Sequence, residues 1–216
     1  MTTANILFYD TETTGLPLFS EPSEDPRQPH IVQLAAKLVD ADTRKTIASI
    51  DLIARPDGWT IPDDVADIHG ITTQHALAVG VPERLIVETL LHLCECKGGQ
   101  PVTRCGHNES FDARMVRIAM MRFGLSDPDE WKVGASRCTA LLSLPIMNLP
   151  PTERMIATGR KGPKMPKLSE AYKFFTGKEL ENAHSALADV DACAAVHWAI
   201  QDRFPVTDGG FAKCSI

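Results

Sequence analysis

Near the start of the chain, Ile6-Leu7-Phe8-Tyr9 leads directly into Asp10-Thr11-Glu12. The four apolar residues are strand formers, and the two carboxylates that follow are spaced i, i+2. Alternate residues of a strand face the same side, so Asp10 and Glu12 are predicted to point into one space. Two carboxylates on one face repel each other unless a positive charge lies between them, and a divalent cation supplies it most simply. Thr13-Thr14-Gly15-Leu16 then turns the chain, with a glycine that lets backbone approach a ligand closely. The segment reads as half of a metal site mounted on a sheet.

The other half requires a chain large enough to bring distant segments together. At 216 residues this one can bury a substantial core, and it reads as a single domain with its core at about 5–203 and a loose tail over 206–216. No apolar run approaches the ~20 residues of a membrane helix. Met1-Thr2-Thr3-Ala4-Asn5 lacks the basic and apolar regions of a signal peptide, so a cytoplasmic protein without membrane contact is expected. Cys94, Cys96, Cys105, Cys138, Cys193 and Cys214 show no paired Cys-x-x-Cys spacing. A zinc site or disulfide framework is therefore disfavoured, and most of them read as small buried hydrophobes.

A net charge of −6 argues against binding nucleic acid by bulk electrostatics, though not against meeting it through bound metals. One stretch opposes the average. From Arg154 to Lys178 seven basic residues face Glu170 alone, a local charge of +6. It reads equally as a solvated face or as a guide for an anionic partner.

Along the chain, a strand is expected to end at Asp10, and the acidic, Pro-rich Pro17–Pro29 to form a long loop. His30–Val39 and Lys45–Ile53 read as a hairpin turning at Asp40–Arg44. Pro82–Cys94 has helical apolar spacing and is stopped by Gly98-Gly99. Pro101–Gly106 reads as a strand, and Phe111–Phe123, Lys167–Phe175 and Ser185 to about Arg203 as helices, the last ending before Pro205. Strands followed by interleaved helices and short strands give an α/β domain with a mixed sheet.

Two further segments carry chemistry. His107-Asn108-Glu109-Ser110-Phe111-Asp112 follows a strand, which places Asp112 in the first turn of a helix at the carboxyl edge of the sheet. There it is either a helix-dipole partner or a ligand, beside backbone N–H groups open to an anion. His184 lies just before the last helix and Asp189 about one turn into it. A side chain on a loop suits proton transfer, and one on a rigid helix suits a metal; Asp191 reads as a solvent-facing acid.

Asp10-x-Glu12, then His107-Asn108 with Phe111-Asp112, then His184-x4-Asp189, resembles the DEDDh family of 3′→5′ exonucleases, which includes proofreading subunits of DNA polymerases. Ile68-His69-Gly70-Ile71-Thr72 and Lys164–Tyr172 also match segments of that family, and the resemblance runs from about Asn5 to Arg203. A competing pattern puts Asp10, Glu12, Thr14, Gly15 and Glu21 on EF-hand loop positions. A β-type entry, Pro17 and Pro22, Thr14 in place of Asp or Asn, and the lack of a second such loop count against it.

The resemblance implies a ribonuclease H-like α/β fold, with a mixed central sheet flanked by helices. It implies that Asp10, Glu12, Asp112 and Asp189 hold two Mg²⁺ or Mn²⁺ ions, their four negative charges balancing the two cations. His184 would be the general base that takes a proton from the attacking water. Thr13, Gly15 and Leu16 would lie against the last nucleotide, with His69, Asn108 and Phe111 contacting sugar-phosphate or base. Three of them also have a bland role, Leu16 and Phe111 in the core and His69 bonding its own turn. The implied reaction releases nucleoside monophosphates from a free 3′ end, single-stranded DNA being the leading substrate. Short-RNA trimming stays open, because sensing a 2′-hydroxyl depends on pocket shape. A non-catalytic module binding nucleic acid or a polymerase stays open too, although all five positions are filled. A proofreading role would need a separate DNA polymerase.

Overall fold

The computed structural model describes residues 5–95, 102–125, 128–204, 206–207 and 210–211. Its centre is a six-stranded mixed sheet. The first strand, β1 (Asn5–Thr13), pairs antiparallel with β2 (Ile31–Asp40), which pairs antiparallel with β3 (Thr46–Arg55). On the other side β1 runs parallel to β5 (Val102–Gly106), and β5 to the short β6 (Ser136–Cys138). A two-residue strand, β4 (Val81–Pro82), closes the far edge beside β3. β1 thus lies inside the sheet, which explains its unbroken apolar run: both of its faces are covered.

The two faces divide β1 by alternation. Leu7 and Tyr9 pack against Ile86, Val87 and Leu90 of α3 (Glu83–Cys94) and Met115, Val116 and Ala119 of α4 (Glu109–Arg122). Ile6 and Phe8 pack against Ala186, Val190 and Cys193 of α9 (Ala186–Arg203). Small residues on that helix let it lie close to the sheet. The α8 helix (Leu168–Thr176) packs on α9 through Ala171 and Phe175.

Most elements read from sequence are present, with corrections. β1 continues to Thr13 instead of ending at Asp10, so both carboxylates lie within the strand. Its pairing with β2 slips after Glu12, since Glu12 faces Gln33 while Thr13 faces Ile31. The helix after β5 starts at Glu109, earlier than the expected Phe111. Five short helices were not anticipated: α1 (Asp63–His69), α2 (Thr73–Val79), α5 (Pro128–Val133), α6 (Thr139–Met147) and α7 (Glu153–Ala157). Helices this short are not stable alone, so local periodicity hardly announces them. Docking supplies the stability, as where Ala66 and Ala76 pack with Val32, Ile61 and Ile71.

Cys105 and Cys193 are buried as expected, but Cys94 and Cys138 are only half-buried. In the tail, Val206–Thr207 pairs with Gly210–Phe211. Cys96, Cys214, the Gly98-Gly99 helix stop, Pro101, Pro205 and the rest of the expected loose tail lie outside the described residues. Among the described residues no helix is long and apolar enough to cross a membrane.

Candidate active site

The carboxyl end of β1 is where the two helical layers meet. Asp10 and Glu12 follow Phe8 at alternate positions and so face the α9 layer. Asp189, in the first turn of α9, comes from that side. Asp112 comes from α4 in the opposite layer, where its Oδ1 accepts from the Thr11 backbone N–H at 3.0 Å and from Thr11 Oγ1 at 2.7 Å. Residues from three remote segments therefore converge on one strand end.

Their mutual electrostatics are unfavourable as they stand. Burial, then the neighbouring carboxylates Asp112, Asp189 and Glu12, hold Asp10 well above the usual carboxylate range. Burial and then Asp189 push Glu12 up to about 7. Burial also lifts Asp112 to about 7, although both Thr11 hydrogen bonds oppose the rise. Asp189 is raised by burial too, against the hydrogen bond from His184. Groups pushed in this direction in concert are a site lacking positive charge.

His184 stands on the segment leading into α9 with a left-handed backbone, φ 69°. Its backbone N–H donates to Asp189 Oδ2 at 3.2 Å, which fixes that carboxylate. Asp189 Oδ1 is buried and, among the described residues, has no hydrogen-bond partner. An orphaned carboxylate oxygen is costly unless something cationic meets it. One carboxylate oxygen each from Glu12 and Asp189 and a ring nitrogen of His184 lie within 4.8 Å of one another. The donor set fits a hard divalent cation, and His184 stands close enough to share its surroundings.

The remaining expected residues are distributed unevenly. Thr13 is buried and its hydroxyl donates to the Gly15 carbonyl at 2.9 Å, closing the turn. Gly15 has φ 153°, a value that disfavours any residue with a side chain. Leu16 is 73 % exposed, so it is not core. Phe111 is half-buried and packs against the α3–α4 core. Asn108 adopts φ 72° at the start of α4 and lines, with His107, Lys167, Leu180, His184 and Asp189, a cavity of about 680 Å³.

His69 does bond its own turn, its Nδ1 accepting from the Ile71 N–H at 3.1 Å. That fixes the proton on Nε2, which is buried with no partner among the described residues. Burial, then nearby His184, depresses its pKa, so the ring stays neutral beside the site. As expected, Asp191 is exposed, and it pairs with Lys37.

Thr11 and Gln33 escaped the sequence reading as positioning residues, and His107 was read there only as part of a motif. Thr11 orients Asp112 through its two hydrogen bonds. Gln33 donates to Asp51 Oδ1 at 2.7 Å, and its Oε1 accepts from the Ala186 N–H at 3.3 Å, which ties the start of α9 to β2. His107 Nε2 donates to the Pro166 carbonyl at 3.0 Å, holding the segment before α8 against the end of β5. Of the three only His107 left a signal, in the His107-Asn108 motif after a strand.

Comparison with known proteins agrees with this geometry. The exonuclease family model matches residues 7–197, most of the chain. None of the curated proteins compared with the chain matches it. A crystal structure of an E. coli exonuclease I–single-stranded DNA complex in its zinc-bound form superposes with a TM-score of 0.70 at 23 % identity, over 94 % of this chain and 41 % of that one. E. coli exonuclease I in complex with a dT13 oligonucleotide gives 0.71 at 23 % identity, over 93 % and 41 %. The complex with a dA16 oligonucleotide gives 0.70 at 23 %, over 94 % and 42 %. The chain therefore spans about two-fifths of the length of those proteins.

The chain belongs to the exonuclease family, and its fold is the mixed, helix-flanked sheet expected of a ribonuclease H-like member. Its carboxylates and histidine, Asp10-x-Glu12, Asp112 and His184-x4-Asp189, follow the order of the DEDDh type within that family.

Proposed function

We propose that the chain is a metal-dependent 3′→5′ exonuclease that releases nucleoside monophosphates from single-stranded DNA. The observation that carries this reading is the convergence of Asp10, Glu12, Asp112 and Asp189 on one strand end, with Asp189 Oδ1 orphaned and the carboxylates raised in pKa. These four would hold two Mg²⁺ or Mn²⁺ ions, which supply charge neutralisation at the scissile phosphate and at the attacking and leaving oxygens.

The chain's own residues do the rest. His184 accepts the proton of the attacking water at a ring nitrogen as the water oxygen bonds to phosphorus. The bond from phosphorus to the 3′-oxygen of the preceding nucleotide breaks, and that oxygen leaves and takes a proton from solvent. Asp189 Oδ2, bonded to the His184 backbone N–H, keeps the segment that carries His184 beside the carboxylates. Thr11 keeps Asp112 aimed at the same point. His69 offers its Nε2–H to a phosphate oxygen, and its neutral ring avoids trapping the product. Asn108 lies beside the sugar, and Leu16, Gly15 and Thr13 form the wall against which the last nucleotide rests. Contacts of this kind position a strand without reading its bases. In a proofreading setting the strand would come from a separate DNA polymerase.

A 5′-labelled single-stranded DNA oligonucleotide, with Mg²⁺ or with EDTA, tests this directly. Wild type should give a ladder shortening from the 3′ end in Mg²⁺ and none in EDTA. His184→Ala should lower turnover by about 10²–10⁴-fold, the usual worth of a general base, with metal binding by calorimetry nearly intact. An equal loss of metal binding would move His184 from base to ligand. A folded wild type that leaves both DNA and the matching RNA intact in Mn²⁺ would remove the reading.

A further inference from the structure

The segment joining β1 to β2 is held along the outer side of α4 by three arginines. Arg114 donates to the Leu18 carbonyl at 3.0 Å and the Glu21 carbonyl at 3.2 Å. Arg117 donates to Ser23 Oγ at 2.8 Å, and Arg122 to the carbonyls of Gln28 and Pro29 at 2.7 and 2.9 Å. From within, the buried Gln28 side chain accepts from the Leu18 N–H at 2.9 Å and donates to the carbonyls of Leu18 and Pro22 at 3.1 and 3.0 Å. The segment is thus a built structure, fixed at several points along its length.

This fixed segment turns an aromatic ring outward. Phe19 is 67 % exposed, and the Arg114 guanidinium lies over its ring at 5.1 Å from the centroid. Arg114 follows Phe111 by three positions, so the two side chains share one face of α4. Helix side chains lean toward the N-terminus, which carries Arg114 and the ring beneath it toward the end of α4 that holds Asp112. Along the chain, Phe19 follows exposed Leu16 by three residues, a span of at most ~11 Å. Leu16 and Phe19 are therefore two exposed apolar side chains on one short stretch just past the carboxylate strand, and Arg114 beneath Phe19 stands two residues from Asp112.

We propose that Phe19, backed by Arg114, is a stacking platform for unpaired bases upstream of the 3′ end, which rests on the exonuclease reading above. With the last nucleotide at the carboxylates, the preceding bases would pass over Phe19, the exposed ring held against the helix that carries Asp112. An exposed ring held rigid before binding loses little freedom when a base stacks on it, and every base offers a flat face whatever its identity. The guanidinium behind the ring adds attraction for the electron-rich stack and for nearby phosphates. The platform selects single strands with several nucleotides over mononucleotides, and it is indifferent to sequence.

The test compares wild type, Phe19→Ala and Phe19→Trp on two substrates, a long oligothymidylate and the p-nitrophenyl ester of thymidine 5′-monophosphate, which fills the terminal position alone. Phe19→Ala should raise KM for the oligomer by about tenfold, the usual effect of losing one stacking ring, and leave the ester's kcat and KM unchanged. Phe19→Trp should restore the oligomer KM. An unchanged oligomer KM in Phe19→Ala, as expected if the ring serves a protein partner instead, would overturn the platform. An equal loss on the ester would overturn it as well, by showing a general disturbance of the site. If wild type cleaves neither substrate, the exonuclease reading fails on its own. Fluorescence anisotropy of the labelled oligomer then still decides, because equal affinity in wild type and Phe19→Ala eliminates the platform.

Discussion

At the scale of single residues, the centre is held in tension by its own charge. Asp10, Glu12, Asp112 and Asp189 all have raised pKa values in the folded protein, Glu12 and Asp112 to about 7 from ordinary values of 4.5 and 3.8. Between those limits the folded protein binds protons that the unfolded chain has lost. The metal-free protein should therefore lose stability as pH rises through this window. Thermal melts in EDTA at about pH 5 and about pH 8 should show the drop, and Mg²⁺ or Mn²⁺ should reverse it at the higher pH. Asp10→Asn should abolish cleavage yet stabilise the metal-free protein at the higher pH by on the order of 1 kcal/mol, or about 2–4 °C. A melting temperature flat in pH would contradict the electrostatic account.

At the scale of elements, the long acidic segment after β1 is the clearest case of structure replacing ambiguity. Pro17–Pro29 reads from sequence only as a loop, either a lid or a decorated turn. Gln28 and the α4 arginines make it a fixed shelf. Gln28→Ala would leave the Leu18 N–H unpaired, a loss of about 1–3 kcal/mol. Urea unfolding should register that loss, and limited proteolysis should cut within 17–29 sooner than in wild type. Equal cutting of the two proteins would mean that the shelf is held by other interactions. Nothing in the local sequence could show this, because each partner on α4 lies more than ninety positions away.

At the scale of the whole molecule, an acidic protein must bring a polyanion to an acidic centre. The basic stretch from Arg154 to Lys178 is less free than its composition indicates, since Lys164 pairs with Glu170 and Lys173 with Glu179. No ion pair among the described residues engages Arg160, Lys161 or Lys167, and Lys167 lines the cavity beside His184. Replacing these three with serine should flatten the salt dependence of KM for a single-stranded oligonucleotide, by about 0.7 in the log–log slope for each phosphate no longer neutralised. An unchanged slope would assign the stretch to ordinary solvated surface.

What the sequence by itself determined was chemistry and local periodicity. The carboxylates of Asp10 and Glu12 share a face because strand geometry has period two. The apolar run before them predicts an inner strand, and the spacing from His184 to Asp189 predicts a loop residue beside a helical one. Only the tertiary structure decided how far β1 extends, where the short helices dock, and that Asp112 approaches from the layer opposite Asp10. It also assigned Thr11 and Gln33 to orienting Asp112 and the start of α9. The physical reason is range. Periodicity and turn chemistry act over a few residues, while these hydrogen bonds join segments about a hundred or more positions apart and exist only once the sheet has closed around them.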